Sequence, residues 1–121
     1  MITLYYFMCK KGFSLEQKEE QMVFGVILAG GIGSRMGNVE KPKQYLNVGG
    51  KPIILHTLEK FYVNSKFEKL IVLCPSQWIN HTKNLVKKNF NDDSKIVVIE
   101  GGYTRNETIM NSIRYIEKLL I

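Results

Sequence analysis

The stretch from Leu28 to Gln44 gathers the groups best suited to chemistry. It reads Leu28-Ala29-Gly30-Gly31-Ile32-Gly33-Ser34-Arg35-Met36-Gly37, then Asn38-Val39-Glu40-Lys41-Pro42-Lys43-Gln44. Glycines let a backbone approach a phosphate closely. Successive peptide N–H groups in such a loop can cradle an anion. Arg35 and Lys43 add fixed positive charge. These are the parts of a triphosphate site, weighed against a solvated surface turn with two cations. Two familiar phosphate motifs fail on spacing. A P-loop needs glycine, four residues, then Gly-Lys-Ser/Thr, and no such run occurs. The dinucleotide fingerprint counted from Gly31 and Gly33 requires its third glycine at Met36, and Gly37 comes one residue late. That fingerprint also wants a carboxylate near the end of the second strand, where this chain reads Val72-Leu73-Cys74-Pro75.

The elements that must position the loop form an alternating series. Val23 to Ala29 is apolar with no polar face, as in a strand buried on both sides. Pro52 opens a helical stretch to about Val63, with Ile54, Leu55, Leu58, Phe61 and Tyr62 at helical spacing. Lys69 to Cys74 is a second buried strand, stopped by Pro75. Asn80 to Phe90 reads as a helix, Lys95 to Glu100 as a strand broken by Gly101-Gly102. Asn106 is a candidate cap for a last helix carrying Ile109, Ile113, Ile116 and Leu120. The order β-α-β-α-β-α predicts an α/β fold with a parallel sheet flanked by helices, joined by right-handed crossovers. The glycine loop then falls beyond the carboxyl end of the first strand, where open α/β sheets bind ligands.

A second block strengthens the first. Gly101-Gly102-Tyr103-Thr104-Arg105 leads into Asn106-Glu107-Thr108-Ile109. Together the two blocks resemble the signature of the cytidylyltransferases that act on polyol phosphates, over about Val23 to the end. The methylerythritol phosphate and ribitol-5-phosphate enzymes are its close branches. The run from Arg105 to Asn111 looks more like the ribitol-phosphate branch. Uridylyl- and thymidylyltransferases of sugar 1-phosphates, and molybdopterin guanylyltransferases, share part of the first block and lack the second.

The resemblance implies a Rossmann-like, three-layer nucleotidyltransferase fold, here its parallel-sheet N-terminal half. It implies that Leu28, Ala29, Gly30, Gly31, Gly33, Arg35, Lys43, Gly101, Arg105 and Thr108 bind the nucleotide. Arg35 and Lys43 would be catalytic, stabilising charge on the α-phosphate and the departing pyrophosphate. Gly101 and Thr108 would line the cytosine pocket. Thr108 replaces the serine common in the methylerythritol branch, and Ser112 stands where that branch usually has glycine. The implied reaction moves CMP from CTP to a polyol phosphate, most simply D-ribitol 5-phosphate, with in-line attack at the α-phosphorus. The alternatives are 2-C-methyl-D-erythritol 4-phosphate as acceptor, or a nucleotide-binding remnant without chemistry. Mg²⁺ is the implied cofactor, held by an aspartate in an Asp-Ala-Val-Arg-Pro-like segment. No Asp-Ala or Arg-Pro pair occurs in this sequence, so no metal ligand is assigned here. The expectation is an incomplete enzyme that does not turn over alone, related to full-length homodimers.

Composition limits the other classes. The chain has 121 residues, 45% hydrophobic and 23% charged, as one globular domain would. A net charge of +6 suits anionic partners. The basic residues are dispersed, which speaks against nucleic acid, and Lys83, Lys87 and Lys88 read as a solvated helix face. No apolar run reaches the roughly 18 residues of a membrane span. Residues 1–21 are expected to be a non-native or disordered extension, with residues 22–121 as the domain and Met22 as the natural start. The two cysteines match no metal or redox spacing. Cys74 reads as a buried free thiol, in keeping with a cytoplasmic location. His56 and His81 are ordinary polar positions, Trp78 packs a loop, and Asn91-Asp92-Asp93-Ser94 is a turn. Glu107 belongs to a first helical turn, where its charge favours the helix dipole.

Overall fold

The computed structural model describes residues 3–13, 19–29 and 42–120, with side chains for 23–29, 42–92 and 94–119. Its main sheet has four strands, in the spatial order Thr3–Phe13, Glu19–Leu28, Phe67–Cys74 and Ile96–Glu100. β2 (Glu19–Leu28), β5 (Phe67–Cys74) and β6 (Ile96–Glu100) are parallel. β1 (Thr3–Phe13) lies antiparallel on the outer side of β2, with Thr3 opposite Leu28. The helices are α1 (Ile53–Tyr62), α2 (Ile79–Asn89) and α3 (Arg105–Leu120). The α/β architecture expected from the periodicity is therefore present from β2 onward, each expected strand and helix having its counterpart.

Alternation along the strands builds two cores. Ile27 and Ala29 of the first parallel strand and its extension, Leu70, Val72 and Cys74 of β5, and Ile96 and Val98 of β6 share one face. They pack with Ile54, Leu55 and Leu58 of α1 and with Val86 of α2. Phe24, Val26, Ile71 and Leu73 point the other way, against Ile116 and Tyr115 of α3. A strand whose two faces are both covered needs apolar residues at every position. That explains the unbroken Leu70-Ile71-Val72-Leu73-Cys74 run, all 0% exposed. Gly25 interrupts the bulky series in β2 because a Cβ there would come within 2.8 Å of Leu70 Cδ2.

Three features beyond the sequence reading have physical causes. Residues 3–13, ahead of the expected domain, form β1. Thr3 to Met8 is rich in aromatic residues of high strand propensity, and β2 offers it an open edge. A small antiparallel hairpin, β3 (Asn47–Val48) and β4 (Lys51–Pro52), precedes α1 and was not anticipated. Its Gly49-Gly50 turn has φ of 63° and 86°, the left-handed pair that two-residue hairpins favour. Finally, Thr104 and not Asn106 caps α3. Its hydroxyl accepts the Glu107 N–H at 3.1 Å, while Asn106 is exposed in the first turn.

The quieter expectations stand as read. Cys74 is a buried free thiol. Asp92 closes its turn by accepting the Ser94 N–H at 3.2 Å. Lys83, Lys87 and Lys88 are exposed. No described helix is long and apolar enough to cross a membrane.

Candidate functional site

The parallel ladder continues one residue past the strands on both sides of β5. Ala29 N–H donates to Leu73 O at 2.8 Å, and Gly101 N–H donates to Cys74 O at 2.9 Å. The carboxyl ends of β2, β5 and β6 therefore form one edge, with Leu28 and Ala29 on one side of β5 and Gly101 on the other. Thr108 joins them from the start of α3. A Cβ on Gly101 would lie 3.3 Å from Thr108 Cγ2, so the two residues are in contact range. Four of the residues expected at a nucleotide site are thus brought to one place. Gly30, Gly31, Gly33 and Arg35 lie outside the described residues.

The turn from Gly101 to Thr108 is held by its own polar groups. Gly102 N–H donates to Thr108 Oγ1 at 3.0 Å, and Thr108 Oγ1 donates to Thr104 O at 2.9 Å. Glu107 Oε2 accepts the Tyr103 N–H at 2.9 Å, and the Thr104 hydroxyl accepts the Glu107 N–H. This is a capping box with the carboxylate reaching one residue further back than usual. It also explains Gly102. A Cβ there would come within 2.4 Å of Glu107 Cβ, so no side chain fits. The single proton of the Thr108 hydroxyl has two backbone acceptors, Thr104 O at 2.9 Å and Gly102 O at 3.4 Å, leaving acceptor capacity for one more partner. Tyr103, at the tip, is 93% exposed, and Arg105 is exposed on the first turn of α3.

Lys43 sits on a different kind of support. Residues 43–45 form one 3-10 turn, closed by Tyr45 N–H to Pro42 O at 3.0 Å and Leu46 N–H to Lys43 O at 3.2 Å. Ile53 N–H, otherwise an orphan at the start of α1, donates to Leu46 O at 3.0 Å. Tyr45 is 1% exposed and stacks on Trp78, with centroids 4.6 Å apart and planes 15° apart. Its hydroxyl meets Thr82 Oγ1 at 2.6 Å, and Thr82 in turn donates to Trp78 O at 2.7 Å. His81 packs edge-on against both rings. Burial pushes the Tyr45 phenol far above the ordinary tyrosine range and raises the Cys74 thiol beside it. The turn therefore holds Lys43 exposed at one end while Tyr45 ties the other to α2. Tyr45, Thr82 and the Trp78 stack escaped the sequence reading. The aromatic directly after Pro42-Lys43-Gln44 was the available signal.

Other expected features fall away from this edge or differ in role. His56 Nε2 pairs with Val48 O at 2.6 Å and secures the hairpin. Ser112, where a branch of the resembled enzymes has glycine, is 0% exposed and donates back to Ile109 O at 2.6 Å, so its hydroxyl fits without a partner outside its helix. Among the described residues, no group of three or more His, Cys, Asp or Glu could hold a metal ion.

The profile of the IspD family, described as 2-C-methyl-D-erythritol 4-phosphate cytidylyltransferase, matches residues 23–119. The chain belongs to the IspD family. Its members are CTP-dependent cytidylyltransferases that take a sugar or polyol phosphate as second substrate and typically use Mg²⁺.

Proposed function

We propose that residues 22–121 form the nucleotide-binding unit of an enzyme that transfers CMP from CTP to a polyol phosphate. The observation that carries this is the edge shared by Leu28, Ala29, Gly101 and Thr108, within a chain of the IspD family. The acceptor's phosphate oxygen attacks the α-phosphorus of CTP in line, and pyrophosphate leaves. Such transfer depends on positioning and charge stabilisation and needs no nucleophile from the protein. The backbone from Ala29 to Gly33 is assigned to the triphosphate, and Arg35 and Lys43 to the α-phosphate and pyrophosphate. Arg105 is assigned to the nucleotide. Gly101 and Thr108 are assigned to the base. With its proton already donated, the Thr108 hydroxyl can only accept, which suits the amino group of cytosine and opposes the carbonyl of uracil. Mg²⁺, when present with the nucleotide, offsets phosphate repulsion. A cytoplasmic, homodimeric enzyme completes the reading.

D-Ribitol 5-phosphate is the proposed acceptor, supported by the run from Arg105 to Asn111. The family's description favours 2-C-methyl-D-erythritol 4-phosphate as the second reading. Calorimetric titration with CTP and UTP tests the nucleotide assignment, and binding of CTP but not UTP is expected. Pyrophosphate release by the full-length enzyme with each polyol phosphate tests the acceptor. Equal binding of both nucleotides removes Thr108 from base selection, and CTP binding without pyrophosphate release when the complementary half of the enzyme is added favours a binding module.

A further inference from the structure

Four polar side chains are buried among the described residues: Gln44, Thr82, Thr108 and Ser112. The three hydroxyls all have partners within hydrogen-bond distance. Gln44 does not. It is 3% exposed, and no donor among the described residues reaches its Oε1. The surroundings are not loose. Tyr45 N–H, Leu46 N–H, Ile53 N–H and the Tyr45 hydroxyl are all matched in the same few residues. One unmatched carbonyl in an otherwise satisfied turn is destabilising, and an apolar side chain of the same length would remove the cost. Buried acceptors of this kind call for a partner that the described residues do not supply.

The position indicates what that partner is. Gln44 follows Lys43, which is assigned above to the α-phosphate, and precedes Tyr45, which is tied to α2. The groups flanking an α-phosphate during the transfer are the ribose on one side and the incoming polyol on the other. Both carry hydroxyl donors. We infer that Gln44 is a substrate-binding residue whose Oε1 accepts a hydrogen bond from a substrate hydroxyl beside the reacting phosphorus. This rests on the cytidylyltransferase reading and adds to it a residue that chooses hydroxylated ligands. A missing acceptor hydroxyl leaves the buried carbonyl unmatched, so deoxy analogues bind more weakly.

The test is a two-way comparison of Gln44→Met and wild type, by calorimetry and thermal melting. CTP, 2′-deoxy-CTP and 3′-deoxy-CTP probe the ribose. D-Ribitol 5-phosphate and 2-C-methyl-D-erythritol 4-phosphate, each added with α,β-methylene CTP, probe the polyol. The expected result is an unliganded Gln44→Met protein that melts at or above the wild-type temperature and loses about tenfold in affinity for one ligand, the size of a well-placed hydrogen bond. If the donor is a ribose hydroxyl, the loss vanishes with the analogue lacking it. If it is a polyol hydroxyl, CTP binding is unchanged and only polyol phosphate binding weakens. Wild-type affinities throughout, with a raised melting temperature, overturn the inference and leave the cytidylyltransferase reading intact. Wild-type protein that binds no CTP overturns both. Should Gln44→Met fail to fold, the deoxy analogues and polyol phosphates on wild type decide. Equal affinity for all three nucleotides, with no binding of either polyol phosphate, overturns the inference.

Discussion

Two turns border the candidate site, and they are built in opposite ways. The turn from Gly101 to Thr108 closes on itself. Its hydrogen bonds join residues three to six apart in sequence, and its special residue, Gly102, is required by a neighbour five positions on. The turn from Pro42 to Leu46 is closed by backbone bonds but placed by distant partners. Tyr45 reaches Thr82, 37 residues away, and stacks on Trp78. A local network can form with its helix and is expected to survive loosening of the rest. A tertiary anchor holds only while α2 and β5 are packed. The site proposed above would therefore combine a self-sufficient wall around Gly101 and Thr108 with a cation whose placement reports on the whole domain.

The largest expected effect concerns that cation. In the intact enzyme, Lys43→Ala is expected to lower pyrophosphate release by about 10²–10³-fold, the usual cost of one stabilising contact to a charged transition state. Because Lys43 is exposed, the melting temperature should not change. Near-wild-type turnover would remove Lys43 from the site and with it the functional half of the comparison. Next in size is Gly102→Ala. The added Cβ meets Glu107 Cβ, and overpacking of this kind costs roughly 1–3 kcal/mol. Thermal melting and CTP affinity should both fall. An unchanged melting temperature would show that the capping turn is softer than its geometry suggests.

Two milder substitutions separate the anchors. Thr104→Ala removes the cap of α3 and is expected to cost about 1 kcal/mol. Tyr45→Phe removes one buried hydrogen bond and keeps the ring stack, at about 0.5–1.5 kcal/mol. Thr82 still donates to Trp78 O in that variant, so no donor is stranded. The distinction lies in amide exchange. Thr104→Ala should speed exchange in the first turn of α3 only, and Tyr45→Phe should speed it in both the Lys43 turn and α2. Identical exchange maps would collapse the difference between the two turns.

That same difference explains what the sequence could tell. Periodicity and breakers located the strands and helices because each signal lies within one element, as in the apolar run ending at Cys74 and Pro75. The Gly101 to Thr108 wall was legible for the same reason, apart from a two-residue error in its cap. Thr104 and Asn106 are both good cap residues, and only the reach of Glu107 to Tyr103 decides between them. The Tyr45 anchor was not legible, because nothing within residues 42–46 announces a hydroxyl at position 82. The unmatched Gln44 was invisible too, since an absent partner is a property of the packed state. β1 carries no such local signal, because what pairs it is the open edge of β2 and not an amphipathic pattern of its own.

The smallest effect offers the finest probe of the tertiary anchor. Cys74 is fully buried beneath Thr82, whose Oγ1 lies 3.8 Å from its sulfur, and burial raises its thiol above the ordinary range. In a Cys9→Ser background it is the sole thiol. The native state then holds a proton that the unfolded chain releases at about pH 8.5. Stability is unaffected below that pH and declines as pH rises above it, and the raised Tyr45 phenol adds a second decline above about pH 10. Iodoacetamide should therefore label Cys74 slowly in native protein even at pH 8.5, and rapidly in urea, because the reactive thiolate appears only on opening. Tyr45→Phe should raise the native labelling rate several-fold, whereas Thr104→Ala should leave it near wild type. Equal acceleration by both would mean that the two turns open together, and that Lys43 is no more dependent on distant packing than Thr108 is.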